Sequence, residues 1–308
     1  AIQLIMELRK NFQIEISTQN LLETPTVAAL NELIQPALHN HRPRTFEPDL
    51  SSLLVKLQKG DSQKQPLFLI HPAGGHVFFY RDLVHSLTTQ RPVYGIQAQG
   101  IDGKTPLLKS IEEMATLYIK AIRTVSPNGP YILGGSSLGG TVAFEIAQQL
   151  HTLGQKVALL LLIDTPSPDH LPVQFKDELE LLAYFFIVGG NNFSMSETQI
   201  RSFGSHKLRK YLLEHGKATH KLPAEMTLEQ FRHLIEMMKI HLQTLWDYKA
   251  QPYLGRIVFF RALERDEFNS YNPEQGWIDL AKDGVKVHEV PGNHITMNYP
   301  PHVQVIAE

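Results

Sequence analysis

One short segment has the residues and spacing of a nucleophilic serine: Gly135-Ser136-Ser137-Leu138-Gly139. The apolar run before it predicts a buried strand, and the sequence after it predicts a helix. A serine at such a strand-to-helix turn is exposed above the sheet edge, where its hydroxyl can attack an acyl carbon. Because Gly-x-Ser-x-Gly also occurs in ordinary glycine-rich loops, the assignment of Ser137 depends on its partners.

Two later residues have the types that such a serine needs. Asp164 follows an apolar strand predicted at 157–163, and His294 follows a strand predicted at 285–290 and a Pro-Gly-Asn turn. The order Ser, Asp, His along the chain is that of the α/β-hydrolase fold. There, His294 would accept the Ser137 proton while Asp164 orients the imidazole. Taken singly, Asp164 could be a turn acid and His294 one of 15 histidines.

A loop of small residues is predicted to supply the oxyanion site. The strand predicted at 66–70 runs into His71-Pro72-Ala73-Gly74-Gly75, where the backbone can come close to a reacting carbonyl. We expect the backbone amides of Ala73 and Leu138 to donate to the oxyanion. His71 and His76 lack carboxylate and cysteine partners at metal-ligand spacing, so we expect no metal site.

The elements that position these residues alternate between strand and helix from about residue 51. This alternation indicates an α/β fold with a mostly parallel sheet covered on both faces. The predicted strands lie near 53–57, 67–71, 92–97, 131–136, 157–163, 256–261 and 285–290, and helices lie near 77–89, 109–125 and 138–153.

A long helical insertion separates the acid from the histidine. Its helical patterns lie near 176–188, 205–214 and 227–247, and we interpret about 170–247 as a lid over the catalytic edge. Phe185 and Phe186 are candidates for an apolar substrate chamber. The same aromatic residues could instead only hold the lid helices together.

The composition excludes several classes of function. A net charge of −2 provides no basic field for nucleic acid or an anionic membrane. The absence of cysteine excludes disulfides, a thiol nucleophile and thiolate metal sites, and it fits a cytoplasmic location. The apolar runs are too short for a membrane span, and no signal-peptide pattern is present. We therefore expect a cytoplasmic protein with neither nucleic acid nor membrane as partner.

Five motifs occur at or near the predicted site: HPAGG at 71–75, PVYGIQAQG at 92–100, GGSSLGG at 134–140, LLIDTPSP at 161–168 and PGNH at 291–294. Together they resemble the type I thioesterase domains of nonribosomal peptide and polyketide synthases. The resemblance covers about 51–308 and implies an α/β-hydrolase that uses Ser137, Asp164 and His294 on thioesters, without a directly bound cofactor. Many members have an aromatic residue where this chain has Ser136.

The first segment resembles part of a carrier protein. Residues 1–36, in which Thr26 caps a short predicted helix, are similar to the C-terminal half of an acyl or peptidyl carrier protein, and 37–50 is a polar, proline-bearing linker. The resemblance implies that the substrate is an acyl thioester on the phosphopantetheine of a carrier protein, which would be the partner. Alternatively, this helical pair serves only for docking.

These observations predict a chain-terminating thioesterase. Ser137 would take the acyl chain from the pantetheine thiol and release it by hydrolysis or macrocyclisation. One alternative is an editing thioesterase that clears stalled carriers, and another is a non-catalytic docking module with an α/β-hydrolase-like fold. The fused carrier segment argues against the first, and the complete Ser, Asp, His set argues against the second.

Overall fold

The computed structural model describes residues 26, 28–29, 50–167, 180–182, 197–219, 222–265 and 273–308. Most of the predicted carrier half (1–36), nearly all of the linker (37–50) and the chamber candidates Phe185 and Phe186 lie outside these residues. The Thr26 hydroxyl accepts a hydrogen bond from the Ala29 amide at 3.2 Å, as expected for a helix cap. The division of the chain into domains therefore stays a prediction.

Seven strands of the described chain form one sheet in the order β1-β3-β2-β4-β5-β6-β7. The edge strand β1 is antiparallel to β3, and all other neighbours are parallel. The strands are β1 (Leu54–Gln58), β2 (Leu67–Ile70), β3 (Val93–Ile96), β4 (Tyr131–Ser136), β5 (Val157–Ile163), β6 (Ile257–Ala262) and β7 (Val285–Val290).

Helices connect the parallel strands and cover both faces of the sheet. No helix in the described ranges is long and apolar enough to cross a membrane. The helices are α1 (Leu50–Leu53), α2 (Arg81–Ser86), α3 (Ile111–Val125), α4 (Leu138–Thr152), α5 (Glu197–Ala218), α6 (Leu228–Asp247), α7 (Gln275–Leu280) and α8 (Val303–Ala307).

Two predicted helices differ from the structure. The single helix expected at 77–89 is a 3₁₀ turn, Val77–Tyr80, followed by α2, which ends at Ser86. The lid helix expected at 205–214 is part of the longer α5, whose backbone is non-helical at Gly204.

Helix α6 begins at a capping box, in which Thr227 and Gln230 each accept a hydrogen bond from the other's backbone amide.

The core consists of two layers that follow the alternation of side chains along the strands. On one face, Phe68 and Leu133 pack with residues of α3 and α4 such as Phe144. On the other face, Leu67 and Leu69 pack with residues such as Val84 of α2 and Val303 of α8. A third cluster joins α5 to α6. The edge predicted to carry the site thus belongs to a sheet that is buried on both sides.

The junction of β4 and α4 depends on glycines because the backbones are in contact there. A Cβ atom on Gly135 would lie 2.1 Å from the carbonyl carbon of Gly139, and one on Gly139 would lie 2.3 Å from the carbonyl oxygen of Ile70. Both distances are far inside van der Waals contact. Only glycine at these positions lets the first turn of α4 approach the ends of β2 and β4.

We therefore expect Gly139→Ala to destabilise the fold by about 2 kcal/mol or more, because the clash with the backbone exceeds the gain in helix propensity. Equilibrium unfolding in urea measures the change. Gly74→Ala is the matched control, since the nearest atom to a Cβ at Gly74 is 3.9 Å away. This control should change the free energy of unfolding by less than about 0.5 kcal/mol. Equal stability of the two variants would contradict the packing explanation.

Candidate active site

Ser137 stands at the turn between β4 and α4 with a strained backbone. Its φ is 55° and its ψ is −127°, a conformation that non-glycine residues rarely adopt. Neither Gly135 nor Gly139 has a positive φ. The strained dihedral thus lies at Ser137, whereas the two glycines allow the close packing of the backbones.

The strained turn is held by hydrogen bonds on both sides. The Ser137 amide donates to the Ile163 carbonyl at 3.1 Å. The Ser136 amide donates to the Tyr80 hydroxyl at 2.8 Å, and this hydroxyl donates to the Ile70 carbonyl at 2.5 Å. Tyr80 is buried and joins the ends of β2 and β4. It was not singled out in the sequence, because a tyrosine within a predicted helix has no signal of this role.

Asp164 and His294 form a direct hydrogen bond. The His294 Nδ1–H donates to Asp164 Oδ2 at 2.8 Å, and Asp164 is only 2% exposed. A carboxylate acceptor requires the proton on Nδ1, which leaves Nε2 of the neutral ring as the basic nitrogen. Strands β4, β5 and β7 are parallel members of one sheet, so Ser137, Asp164 and His294 follow strand ends at the same edge.

The Asp164 carboxylate has two further partners. The Ala262 amide donates to Oδ1 at 3.0 Å, and the Arg265 guanidinium donates to Oδ1 at 3.0 Å and to Oδ2 at 3.3 Å. Burial alone raises the pKa of Asp164, but the hydrogen bond and charge of His294, the charge of Arg265 and the Ala262 amide together hold this pKa below its ordinary value. Asp164 therefore stays ionised at neutral pH.

The turn that carries His294 is fixed by Asn293. Its side-chain oxygen accepts hydrogen bonds from the amides of Ile295 and Thr296 at 3.0 and 2.9 Å. The Asn298 side chain donates to the His294 carbonyl at 3.2 Å. An asparagine that binds the backbone after itself forms a compact turn, which aims the imidazole towards the end of β5. The Pro-Gly-Asn turn expected from the sequence thus has a defined role.

The two expected oxyanion donors also lie near Ser137. Leu138 is the first residue of α4, and Ala73 lies in the loop after β2, where Ile70 pairs in register with Gly135 of β4. In the described part of the chain, neither amide donates a backbone hydrogen bond. Both N–H groups are therefore free to bind an anionic oxygen.

Two buried histidines hold the loop that carries Ala73. His71 Nδ1–H donates to the Pro72 carbonyl and His241 Nδ1–H donates to the Ala73 carbonyl, both at 2.8 Å. Burial lowers the pKa of His71 to about 3, with a further contribution from His241, and burial lowers the pKa of His241 to about 4. Within the described residues, no group of three or more His, Cys, Asp or Glu side chains could hold a metal ion.

The comparison with protein families decides the class. Residues 65–308 match the family described as "Thioesterase domain". The chain belongs to this thioesterase domain family. A related protein from Bacillus subtilis (strain 168), a dimodular nonribosomal peptide synthase, is 34% identical over 85% of this chain. The thioesterase chain spans only 10% of that relative's length.

Solved structures agree with this assignment. The four-domain nonribosomal peptide synthetase holo-AB3403, bound to AMP and glycine, matches 99% of this chain with a TM-score of 0.76 and 29% identity, over 23% of its own length. The Vlm2 thioesterase domain matches 82% of this chain and 94% of its own length, with a TM-score of 0.62 and 25% identity. The predicted α/β-hydrolase fold and the predicted class, a thioesterase of the serine hydrolase type, are confirmed.

The buried, neutral histidines predict an acid-sensitive fold. The pKa of His241 is lowered from 6.5 to about 4 in the folded chain. Between these values the unfolded chain binds a proton at His241 that the folded chain does not, so this contribution to stability is complete above pH 6.5 and is lost as the pH falls towards 4. A shift of this size corresponds to about 3 kcal/mol.

His241→Asn keeps an N–H donor but removes the titration. We expect the free energy of unfolding of this variant to fall less steeply between pH 6.5 and 4 than that of the parent, by up to about 1.4 kcal/mol per pH unit. Urea unfolding at several pH values measures the slope. His151→Asn is the control, because His151 is exposed on α4. A slope identical to that of the parent in His241→Asn would contradict the buried neutral state.

Proposed function

We propose that this thioesterase domain releases an acyl chain from the phosphopantetheine of a carrier protein through an ester on Ser137. The single observation that carries the proposal is the hydrogen-bonded pair of Asp164 and His294 at the sheet edge where the strained Ser137 turn lies. Two similar proteins are a nonribosomal peptide synthase and a nonribosomal peptide synthetase. The family that the sequence resembles acts on thioesters.

The first half of the reaction forms the acyl-enzyme. Ser137 Oγ attacks the thioester carbonyl carbon while His294 Nε2 accepts the hydroxyl proton. The carbonyl oxygen becomes negative and accepts hydrogen bonds from the Ala73 and Leu138 amides. The tetrahedral intermediate then collapses, the C–S bond breaks, and the pantetheine sulfur leaves as a thiol with the proton from His294.

The second half releases the product. Water, or a hydroxyl or amine of the acyl chain itself, loses a proton to His294 and attacks the ester carbonyl. Ser137 then leaves with that proton, and the product is a free acid or a cyclic compound. The ionised Asp164 stabilises the imidazolium in both halves. Because these residues activate any nucleophile that reaches the ester, the choice between water and the chain depends on access.

We further propose that the substrate is presented by a carrier whose C-terminal half is residues 1–36, followed by the linker 37–50. Support comes from the synthetase holo-AB3403, whose match to 99% of this chain includes this N-terminal segment. In this arrangement the carrier and the domain are parts of one synthase of secondary metabolism in the cytoplasm. Phe185 and Phe186 remain our candidates for the apolar chamber that encloses the acyl chain.

The nucleophile is tested by Ser137→Ala, which we expect to abolish turnover of an acyl-pantetheine thioester and covalent labelling by a fluorophosphonate. His294→Ala should reduce kcat by on the order of 10⁴-fold, because the residues act as a unit. Intact-mass analysis detects the acyl-enzyme directly.

Ser136→Ala is the matched control for this test, since Ser136 is buried at the end of β4. It should remain active and become labelled. Labelling that persists in Ser137→Ala but disappears in Ser136→Ala would show that Ser136, and not Ser137, is the nucleophile.

The oxyanion donor is tested by Ala73→Pro, which removes the amide hydrogen. We expect kcat to fall by roughly 10²- to 10³-fold with a smaller change in KM, because the amide acts on the charge that develops during attack. Ala73→Gly keeps the amide and should retain most of the activity. Steady-state kinetics with one thioester compares the three proteins, and a parental kcat in Ala73→Pro would exclude this amide as a donor.

A further inference from the structure

Three residues of the lid helix α6 contact the loops beside Ser137. His233, Met237 and His241 are spaced by four residues, which places them on one face of the helix. We call them the α6 stripe. His241 Nδ1 donates to the Ala73 carbonyl at 2.8 Å, and His233 Nε2 is 2.7 Å from the Gly100 carbonyl.

The middle residue of the α6 stripe packs on the same surface. A Cβ atom on Gly75 would lie 2.7 Å from both the sulfur and the methyl group of Met237, and the φ of Gly75 is +82°. The Gly75 carbonyl accepts a hydrogen bond from the Ala98 amide at 2.8 Å, which joins the loop after β2 to the segment after β3. The stripe therefore contacts two loops that are themselves connected.

Both peptide units of Ala73 are held by buried imidazoles. The Pro72 carbonyl and the Ala73 amide belong to one planar peptide unit, so the direction of one fixes the direction of the other. That carbonyl accepts from His71 Nδ1 at 2.8 Å and from the Gly75 amide at 2.9 Å. The next unit contains the Ala73 carbonyl, which accepts from His241. The orientation of the Ala73 amide is thus defined from both sides.

The two imidazoles also support each other. Their rings stack with centroids 5.1 Å apart, and His71 Nε2 accepts a hydrogen bond from the Tyr118 hydroxyl at 2.7 Å. Since burial keeps both rings neutral at physiological pH, each presents a single N–H donor and no charge to the site. His71 lies within the loop itself, whereas His241 lies 168 residues along the chain from Ala73.

We propose that His241 is a positioning residue for the oxyanion site, and that the α6 stripe fixes the position of the lid helix on the loop after β2, which carries Ala73. This rests on the proposed function, in which the Ala73 amide stabilises the oxyanion. His241 acts through that loop rather than on the substrate. Docking of α6 and the correct orientation of the amide are then the same structural event, so a displacement of the lid helix lowers the rate of the chemical step.

The decisive comparison is His241→Leu with His241→Asn. Leucine removes the donor, and we expect kcat to fall about 10- to 100-fold with KM changed by less than about threefold, because misplaced donors act on the transition state. Asparagine places an N–H at the position of Nδ1 and should recover most of the lost kcat. Ile122→Ala is the matched control: Ile122 is buried in the core on α3 rather than on α6, and its loss should lower the melting temperature without lowering kcat.

His241→Gln keeps the proposal testable if the leucine variant does not fold. Its amide extends to the position of Nε2 rather than Nδ1, so we expect a lower kcat than in His241→Asn at similar thermal stability. Equal kcat in the Asn and Gln variants, or a parental kcat in His241→Leu, would overturn the positioning role.

Ser137→Ala is measured in the same assay. If Ser137→Ala retains turnover, the proposed function fails. If Ser137→Ala is inactive while His241→Leu has a parental kcat, only the positioning role fails.

Discussion

The buried charge of Asp164 is the constraint on which the site depends. A carboxylate that is 2% exposed is tolerated only when its oxygens are paired. The donors come from the end of β6, from Arg265 in the segment after β6, and from His294 after β7. The adjacency of β5, β6 and β7 in the sheet therefore satisfies the charge, and the same bonds orient the imidazole. Removal of any one donor would leave part of the charge without compensation.

The two expected oxyanion donors are backbone amides, and side chains determine their positions only indirectly. The glycines at the β4 to α4 junction let the first turn of α4 lie against β2, and this contact brings the Leu138 amide beside the loop after β2. On the other side of that loop, His71 and His241 fix the carbonyls of Pro72 and Ala73. A strained Ser137 turn persists because these surrounding contacts overdetermine it.

The sequence predicted the strands well because a sheet buried on both faces requires continuous apolar runs, as at 157–163, where β5 has the expected bounds. The helix expected at 77–89 ends at Ser86 and begins as a 3₁₀ turn, whose last residue, Tyr80, binds the Ser136 amide at the turn between β4 and α4. Apolar periodicity does not report such a tertiary hydrogen bond.

The residues of the candidate site likewise differ in how far the sequence predicts them. Ser137 and His294 occupy motifs with local signals, a glycine-flanked serine and an Asn-containing turn. Arg265 and His241 have none, because their partners lie 101 and 168 residues away along the chain. A histidine on an amphipathic helix indicates at most a polar or half-buried position. Only the docking of α6 on the loop after β2 reveals its partner.

The contact between α6 and the loop after β2 bears on how such a domain selects its substrate. A Ser-His-Asp arrangement activates any nucleophile, so discrimination must come from binding energy that is expressed in the transition state. If the α6 stripe positions the Ala73 amide, an acyl chain that fits under the lid also stabilises the loop after β2. A chain that fits poorly then reacts slowly even when it binds. Selectivity would appear in kcat as well as in KM, because enclosure of the substrate and completion of the oxyanion site share the same helix.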